Sequence, residues 1–256
     1  KIMEDNTPVN PENTSPLGEN ENTPESAAPA IPTISKEAKE IENIASKVAQ
    51  VKAELAKVLV GQTELIDLLL IALLSGGHTL IEGVPGIAKT LTAKLLSQAL
   101  SVDFSRIQFT PDLMPADVVG TNVFNMKNSE FEFKPGPLFG NVILIDEINR
   151  APAKTQSALF EVMEEYQITI DGKTYPLEQP YMVLATQNPI EQEGTYKLPE
   201  AQLDRFLFRI LIDYPNLEDE IEILNRFSED FNQLQKSDVK AVISGEEIMK
   251  FRAIVE

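Results

Sequence analysis

Three short strings in this sequence carry side chains whose types and spacing could handle a phosphorylated ligand. Gly83-Val84-Pro85-Gly86-Ile87-Ala88-Lys89-Thr90 matches a phosphate-binding loop at Gly83, Lys89 and Thr90, with Ala88 where a second glycine usually stands. In such a loop the backbone N–H groups and the start of the next helix face phosphate oxygens. Lys89 would neutralise the β and γ phosphates, and the Thr90 hydroxyl would ligate magnesium. The plain alternative is a glycine turn entering an ordinary helix. Val142-Ile143-Leu144-Ile145-Asp146-Glu147 is an apolar run ending in two acids. A buried strand would deliver both carboxylates to the C-terminal edge of a sheet, where α/β proteins bind ligands. There Asp146 can hold magnesium, and Glu147 can polarise a water for in-line attack on the γ-phosphate. Alone, the string would be a strand ending in solvated acids; beside a phosphate loop it supplies the carboxylate that loop requires. Leu184-Ala185-Thr186-Gln187-Asn188-Pro189 repeats the pattern with a polar end. Asn188 could hydrogen-bond the γ-phosphate or the attacking water, or serve as the turn residue before a proline.

These groups converge only if the right elements carry them. Order is expected to begin near residue 35, where Ile41, Ile44, Ala45, Val48, Val51 and Leu55 recur at helical spacing. A second helix is expected over 63–75, stopped by Gly76 and Gly77, which can take the left-handed conformation that ends helices. A strand over 78–82 leads straight into the glycine-containing loop, and 89–100 reads as the next helix, with Leu91, Leu95, Leu96 and Ala99 on its buried side. Further strands are expected at 104–109, 142–146, 181–185 and 208–212. Strands alternating with helices imply a mainly parallel sheet covered on both faces. Two stretches break that rhythm, 123–134 with alternating Phe131-Glu132-Phe133-Lys134, and 167–175 turning at Asp171-Gly172; both read as inserted β-hairpins. Phe131 and Phe133 could grip a substrate or pack against the domain. His78, the only histidine, reads as structural.

Composition narrows the function classes. With no cysteine, disulfides, thiolate metal sites and cysteine nucleophiles are excluded. Acidic residues outnumber basic ones by 40 to 22, a formal charge of -18, and no basic cluster is evident, which disfavours nucleic acid. The longest apolar stretch, 68–74, is too short to span a bilayer, and a cytoplasmic protein is expected. Residues 1–33 are rich in Pro, Asn, Glu, Thr and Ser and are expected to form a disordered tail.

A fourth string, Leu198-Pro199-Glu200-Ala201-Gln202-Leu203-Asp204-Arg205-Phe206, precedes the last expected strand. The order of phosphate loop, Asp-Glu strand, Asn-ended strand and Leu-Asp-Arg-Phe resembles the AAA+ ATPases. More closely, segments 76–90, 108–120, 146–164, 186–196 and 198–206 are similar to the MoxR family, related to the ATPase subunits of magnesium chelatase. The resemblance covers about 58–222. It implies ATP and Mg2+ as cofactors, Lys89 and Thr90 as the Walker A pair, and Asp146 and Glu147 as the Walker B pair. It also implies Asn188 as sensor 1 and Arg205 as an arginine finger reaching the neighbouring subunit's nucleotide. Arg150 is a second interface candidate or an ordinary surface arginine. The two hairpins fall where the family has a helix-2 insert and a presensor hairpin, although Met126-Lys127-Asn128-Ser129 lacks a tip glycine.

The implied fold is an α/β P-loop AAA+ core with a five-stranded parallel sheet, flanking helices, two inserted hairpins and the start of an α-helical lid. Its expected divisions are the tail over 1–33, the nucleotide-binding domain over 34–215 and the opening of the lid over 216–256. The family's sensor 2 string, Gly-Ala-Ser-Pro-Arg, does not occur, and the chain is expected to be part of a longer protein. The resemblance further implies a ring-forming homo-oligomer, a hexamer, that remodels a protein client, often with a von Willebrand factor A domain partner. Two other readings are the ATPase subunit of a metal chelatase and a nucleotide-gated assembly module with little turnover.

Overall fold

The computed structural model describes residues 36–84, 88–188, 196–227 and 239–255. The expected tail, Pro85, Gly86 and Ile87 of the loop, and residues 189–195 lie outside them. In chain order the elements are α1 (Lys36–Ala56), α2 (Thr63–Leu74), β1 (His78–Gly83), α3 (Lys89–Ala99), β2 (Phe104–Gln108), α4 (Pro115–Val119), β3 (Gly120–Asn125), β4 (Glu130–Pro135), β5 (Val142–Asp146), α5 (Ala153–Glu165), β6 (Gln167–Ile170), β7 (Lys173–Pro176), β8 (Met182–Gln187), α6 (Glu200–Leu203), β9 (Phe206–Ile212), α7 (Leu217–Phe227) and α8 (Gly245–Val255).

Five strands form one sheet in the order β2-β5-β8-β1-β9, and every neighbouring pair runs parallel. The central strands are buried along most of their length because helices cover both faces, and the polar residues His78, Thr79, Glu82 and Thr186 are buried with them. Their side chains alternate between two cores, as the strand period of two requires. Val142 and Leu144 of β5, with Met182 and Leu184 of β8, join the core under α1, α2, α3 and α8. Ile143, Ile145, Val183 and Ala185 join the opposite core, with Leu159, Phe160 and Met163 of α5. The edge strands are wetter: Leu207 and Leu211 of β9 are exposed.

Helix ends follow local chemistry. Gly76 takes φ +66 and the Gly77 N–H donates to the Ala72 carbonyl at 2.8 Å, closing α2 with the left-handed glycine turn expected of that pair. Asp171 and Gly172 both take positive φ, the condition for the tight turn joining β6 to β7. The β3–β4 hairpin turns without glycine. Ser129 adopts φ 57, its N–H donates to the Asn125 carbonyl, and the Asn125 side chain accepts from the Lys127 N–H. Phe133 stacks on Tyr175 with ring centroids 4.3 Å apart, so it packs the two hairpins together. Phe131 instead stays 73% exposed, edge-on to Phe124.

Of the two helices among the described residues after 216, α8 packs back on the body. Ile248 and Phe251 enter the core with α1 and α2, and the Arg252 Nε donates to the Leu73 carbonyl at 2.8 Å. The amphipathic α7 is tied to the end of α1 by the Arg226 guanidinium, which donates to the Ala56 carbonyl, while Leu217, Ile221 and Leu224 stay exposed.

His78 is a buried clasp. Its Nδ1 accepts from the Val183 N–H at 3.1 Å, which leaves Nε2 to donate to the Met163 carbonyl at 3.1 Å, so one ring joins β1, β8 and α5. Burial, helped by the Arg252 cation, lowers its pKa to about 4. The unfolded chain protonates this ring near 6.5 and the native chain does not, so the clasp's stability is complete above 6.5 and is lost as pH falls toward 4. Denaturant titrations should show about 2 kcal/mol less stability at pH 5 than at pH 7.5 from this group. A His78→Leu variant, less stable overall, should lack that part of the slope; an unchanged slope would refute the assignment.

Candidate functional site

The C-terminal edge of the sheet gathers residues that are far apart in the chain. β1 ends at Gly83, β5 at Asp146 and β8 at Gln187, and the register places Gln187 beside Glu82. Asn188 therefore emerges next to the loop that follows β1. Val84 and Ala88 flank that loop, and Ala88 takes φ 60, ψ 20, a left-handed conformation that L residues adopt at a cost of about 1–2 kcal/mol. Lys89 and Thr90 open α3. The Lys89 Nζ turns back to donate to the Gly83 carbonyl at 2.6 Å. Burial lowers its pKa below the ordinary lysine value, opposed by the negative charges of Asp146 and Glu147, so the lysine and both acids share one electrostatic neighbourhood.

Each acid is held by named partners. The Thr186 hydroxyl, on β8, donates to Asp146 Oδ1 at 3.2 Å and accepts from the Glu147 N–H at 3.2 Å, which locks the two residues relative to each other. From β2, Arg106 Nε donates to Asp146 Oδ2 at 2.7 Å and Gln108 Nε2 donates to Glu147 Oε2 at 2.8 Å. Arg150 Nε adds a second contact to Glu147 Oε2 at 3.1 Å, so this arginine serves its own chain's acid. Glu147 itself sits at φ 58, ψ 51, where a residue with a side chain is uncommon. That kink directs the chain from β5 into the short turn over Ile148–Arg150. Backbone held in such a region is a mark of functional sites.

Arg205 lies elsewhere. It immediately precedes β9, whose first residue, Phe206, pairs with His78 at the start of β1. Lys89 follows the end of β1, so the parallel strands put about 17 Å of sheet between the two residues. Arg205 pairs with Glu164 at the C-terminal end of α5.

A cavity of about 570 Å³ lies near the end of β1, lined by Val60, Gly61 and Gln62 on one side and Ile212, Pro215 and Asp219 on the other. Ile212 pairs with Gly83, and Gln62 Oε1 lies 2.7 Å from the Thr92 hydroxyl in the first turn of α3, so the cavity lies close to the end of β1 and the start of α3. A Cβ at Gly61, φ +72, would meet an Asp219 carboxylate oxygen at 2.5 Å, so the Asp219 side chain would have to shift to admit one. Arg106, Gln108, Thr186 and Gln62 were not singled out from sequence, because a polar residue on a strand or before a helix carries no signal until the neighbouring strand is known.

Residues 78–208 match the ATPase family associated with various cellular activities (AAA). The chain is 53% identical to the Bacillus subtilis protein YeaC over 169 residues, covering 66% of this chain and 53% of YeaC. It is 53% identical to the chaperone MoxR1 of Mycobacterium tuberculosis over 173 residues, 68% of this chain and 46% of MoxR1. The chain thus spans about half the length of these curated relatives. A crystal structure of a Cytophaga hutchinsonii protein assigned as an ATPase superposes with a TM-score of 0.76 at 48% identity, covering 84% of this chain and 64% of that one.

Thr186 is the most buried member of the acidic cluster, 4% exposed. Thr186→Val keeps its shape and removes both hydrogen bonds, leaving the Glu147 N–H without its partner. Denaturant unfolding should register a loss of roughly 1–3 kcal/mol; a variant as stable as the parent would show that Thr186 does not hold the acids.

Proposed function

We propose a function for this chain on the ground that it belongs to the MoxR family of AAA+ ATPases: it binds ATP at the β1–α3 loop, hydrolyses it, and couples turnover to chaperone-like remodelling of a protein client. The observation that carries this reading is the meeting of three strand ends at one sheet edge: β1 leads to Lys89, whose Nζ donates to the Gly83 carbonyl at 2.6 Å, β5 ends at Asp146, and β8 between them supplies the Thr186 hydroxyl that holds Asp146 and Glu147. Backbone N–H groups at the start of α3 and the Lys89 ammonium bind the phosphates. The nearby cavity receives the base against Val60 and Ile212. A Thr90 hydroxyl and an Asp146 carboxylate make a hard-oxygen donor pair that suits magnesium, with phosphate and water completing the shell. When bound there, magnesium neutralises charge on the β and γ phosphates. Glu147 orients and polarises the attacking water, and Asn188, beside the loop, hydrogen-bonds that water or the γ-phosphate.

Arg205 acts in a neighbouring subunit. Its place beside the start of β1, at the end of the sheet away from Lys89, supports a reach to a neighbour's nucleotide, and an arginine supplied across an interface ties hydrolysis to assembly. The unit is a ring of identical subunits, six in the family's pattern, with a client and a von Willebrand factor A domain protein as partners. No helix among the described residues is long and apolar enough to cross a membrane.

Glu147→Gln should keep ATP affinity and lower steady-state phosphate release by roughly 100-fold or more; undiminished turnover would remove Glu147 from the mechanism. Arg205→Ala should bind ATP and turn it over about 10³-fold more slowly, and mixing it with Lys89→Ala, which cannot bind, should recover part of the rate through mixed interfaces. Failure of every mixture to recover activity would show that Arg205 does not work between subunits.

A further inference from the structure

Two residues of β2 reach the acidic pair in the same way. Arg106 and Gln108 stand two apart, on one face of the strand, and each extends a polar group to an acid of the adjacent β5: Arg106 to Asp146 and Gln108 to Glu147. The two contacts differ in kind. An amide leaves the charge of Glu147 unchanged, whereas a guanidinium 2.7 Å from Asp146 Oδ2 offsets the charge that makes Asp146 a metal ligand. Thr186 occupies the other oxygen, Oδ1. Both oxygens of Asp146 are therefore engaged, one by a buried neutral hydroxyl and one by a cation.

The cation is the displaceable partner. β2 is an edge strand, and the Arg106 side chain is 51% exposed while that of Asp146 is 14% exposed. A guanidinium at the protein surface can exchange its carboxylate for water at small cost. The Thr186 hydroxyl has no such freedom.

We propose that Arg106 competes with the divalent cation for Asp146, and so sets the magnesium concentration at which the nucleotide is held. Arg106 is a positioning residue: it holds Asp146 aimed at the sheet edge, and it swings into solvent as the carboxylate takes up a metal. The inference rests on Asp146 being the metal-binding acid, as read above.

The test is a titration of the full chain with magnesium at a fixed concentration of a fluorescent, non-hydrolysable ATP analogue, following bound nucleotide. The half-saturating magnesium concentration for Arg106→Ala and for Arg106→Gln should fall roughly two- to fivefold below that of the parent, the scale of a half-exposed ion pair. Arg106→Lys, which keeps the cation, should stay close to the parent. Analogue affinity in EDTA separates a structural effect from a competitive one, since general damage to the site weakens binding with and without magnesium alike. An equal or higher magnesium requirement in both Arg106→Ala and Arg106→Gln overturns the proposal. Asp146→Asn distinguishes the two levels: if it titrates like the parent, Asp146 is not the metal ligand and the underlying reading fails. If it loses the magnesium dependence while Arg106→Ala changes nothing, only the competition fails.

Discussion

Two carboxylates at the end of a buried strand must be held by partners from other elements, and the architecture around Asp146 and Glu147 supplies them. A carboxylate drawn partly out of water needs cations or hydrogen-bond donors to compensate it. β8 provides the Thr186 hydroxyl, β2 provides Arg106 and Gln108, the turn after β5 provides Arg150, and α3 provides Lys89. The sheet order β2-β5-β8-β1 places these contributors next to one another, because β5 lies between β2 and β8, and β8 lies beside the strand that feeds the loop. Rearranging any of those strands would separate the acids from their partners.

The rest of the molecule follows as support for that edge. Two helical layers bury the alternating sides of β5 and β8, which fixes the height at which Asp146 and Glu147 emerge. His78 and its two backbone partners hold the opposite end of β1, and the buried Glu82 accepts from Arg209 Nε and Nη2, each at 2.8 Å, fastening β1 to the edge strand β9 just before the loop. The cavity near the end of β1 is shaped by the close approach of α7 to Gly61. The two hairpins stand apart from this machinery, joined to each other by the Phe133–Tyr175 stack and the 2.6 Å contact of Asn122 with Asp171.

Much of this was legible in the sequence, for physical reasons. Strands covered on both faces are mostly apolar, so the runs Val142–Ile145 and Met182–Ala185 announced β5 and β8, and the abrupt change to Asp146 marked where β5 leaves the core. Asp171-Gly172 forecast its turn because both positions need positive φ. α5 was not read as a helix: its buried face includes Thr155 and Gln156, whose polarity dilutes the apolar periodicity. α4, at five residues, is too short to show a period at all. In the site, the loop and the acids were visible because each is a contiguous string. Arg106, Gln108 and Thr186 were not, since their roles exist only across strands, and the lateral order of a parallel sheet is not written in any one strand. The turn of the β3–β4 hairpin escaped for a smaller reason: Ser129 adopts a left-handed conformation usually given to glycine or asparagine.

The claim on which the account stands is that Lys89, Thr90, Asp146 and Glu147 serve one triphosphate. A crystal structure of the chain with magnesium and a non-hydrolysable ATP analogue measures this directly. The account predicts the β and γ phosphates on Lys89 and the α3 N-terminus, the metal between Thr90 and Asp146, Glu147 facing the γ-phosphate, and the base in the cavity between Val60 and Ile212. A nucleotide bound at another surface, or one whose phosphates point away from Asp146 and Glu147, would contradict it.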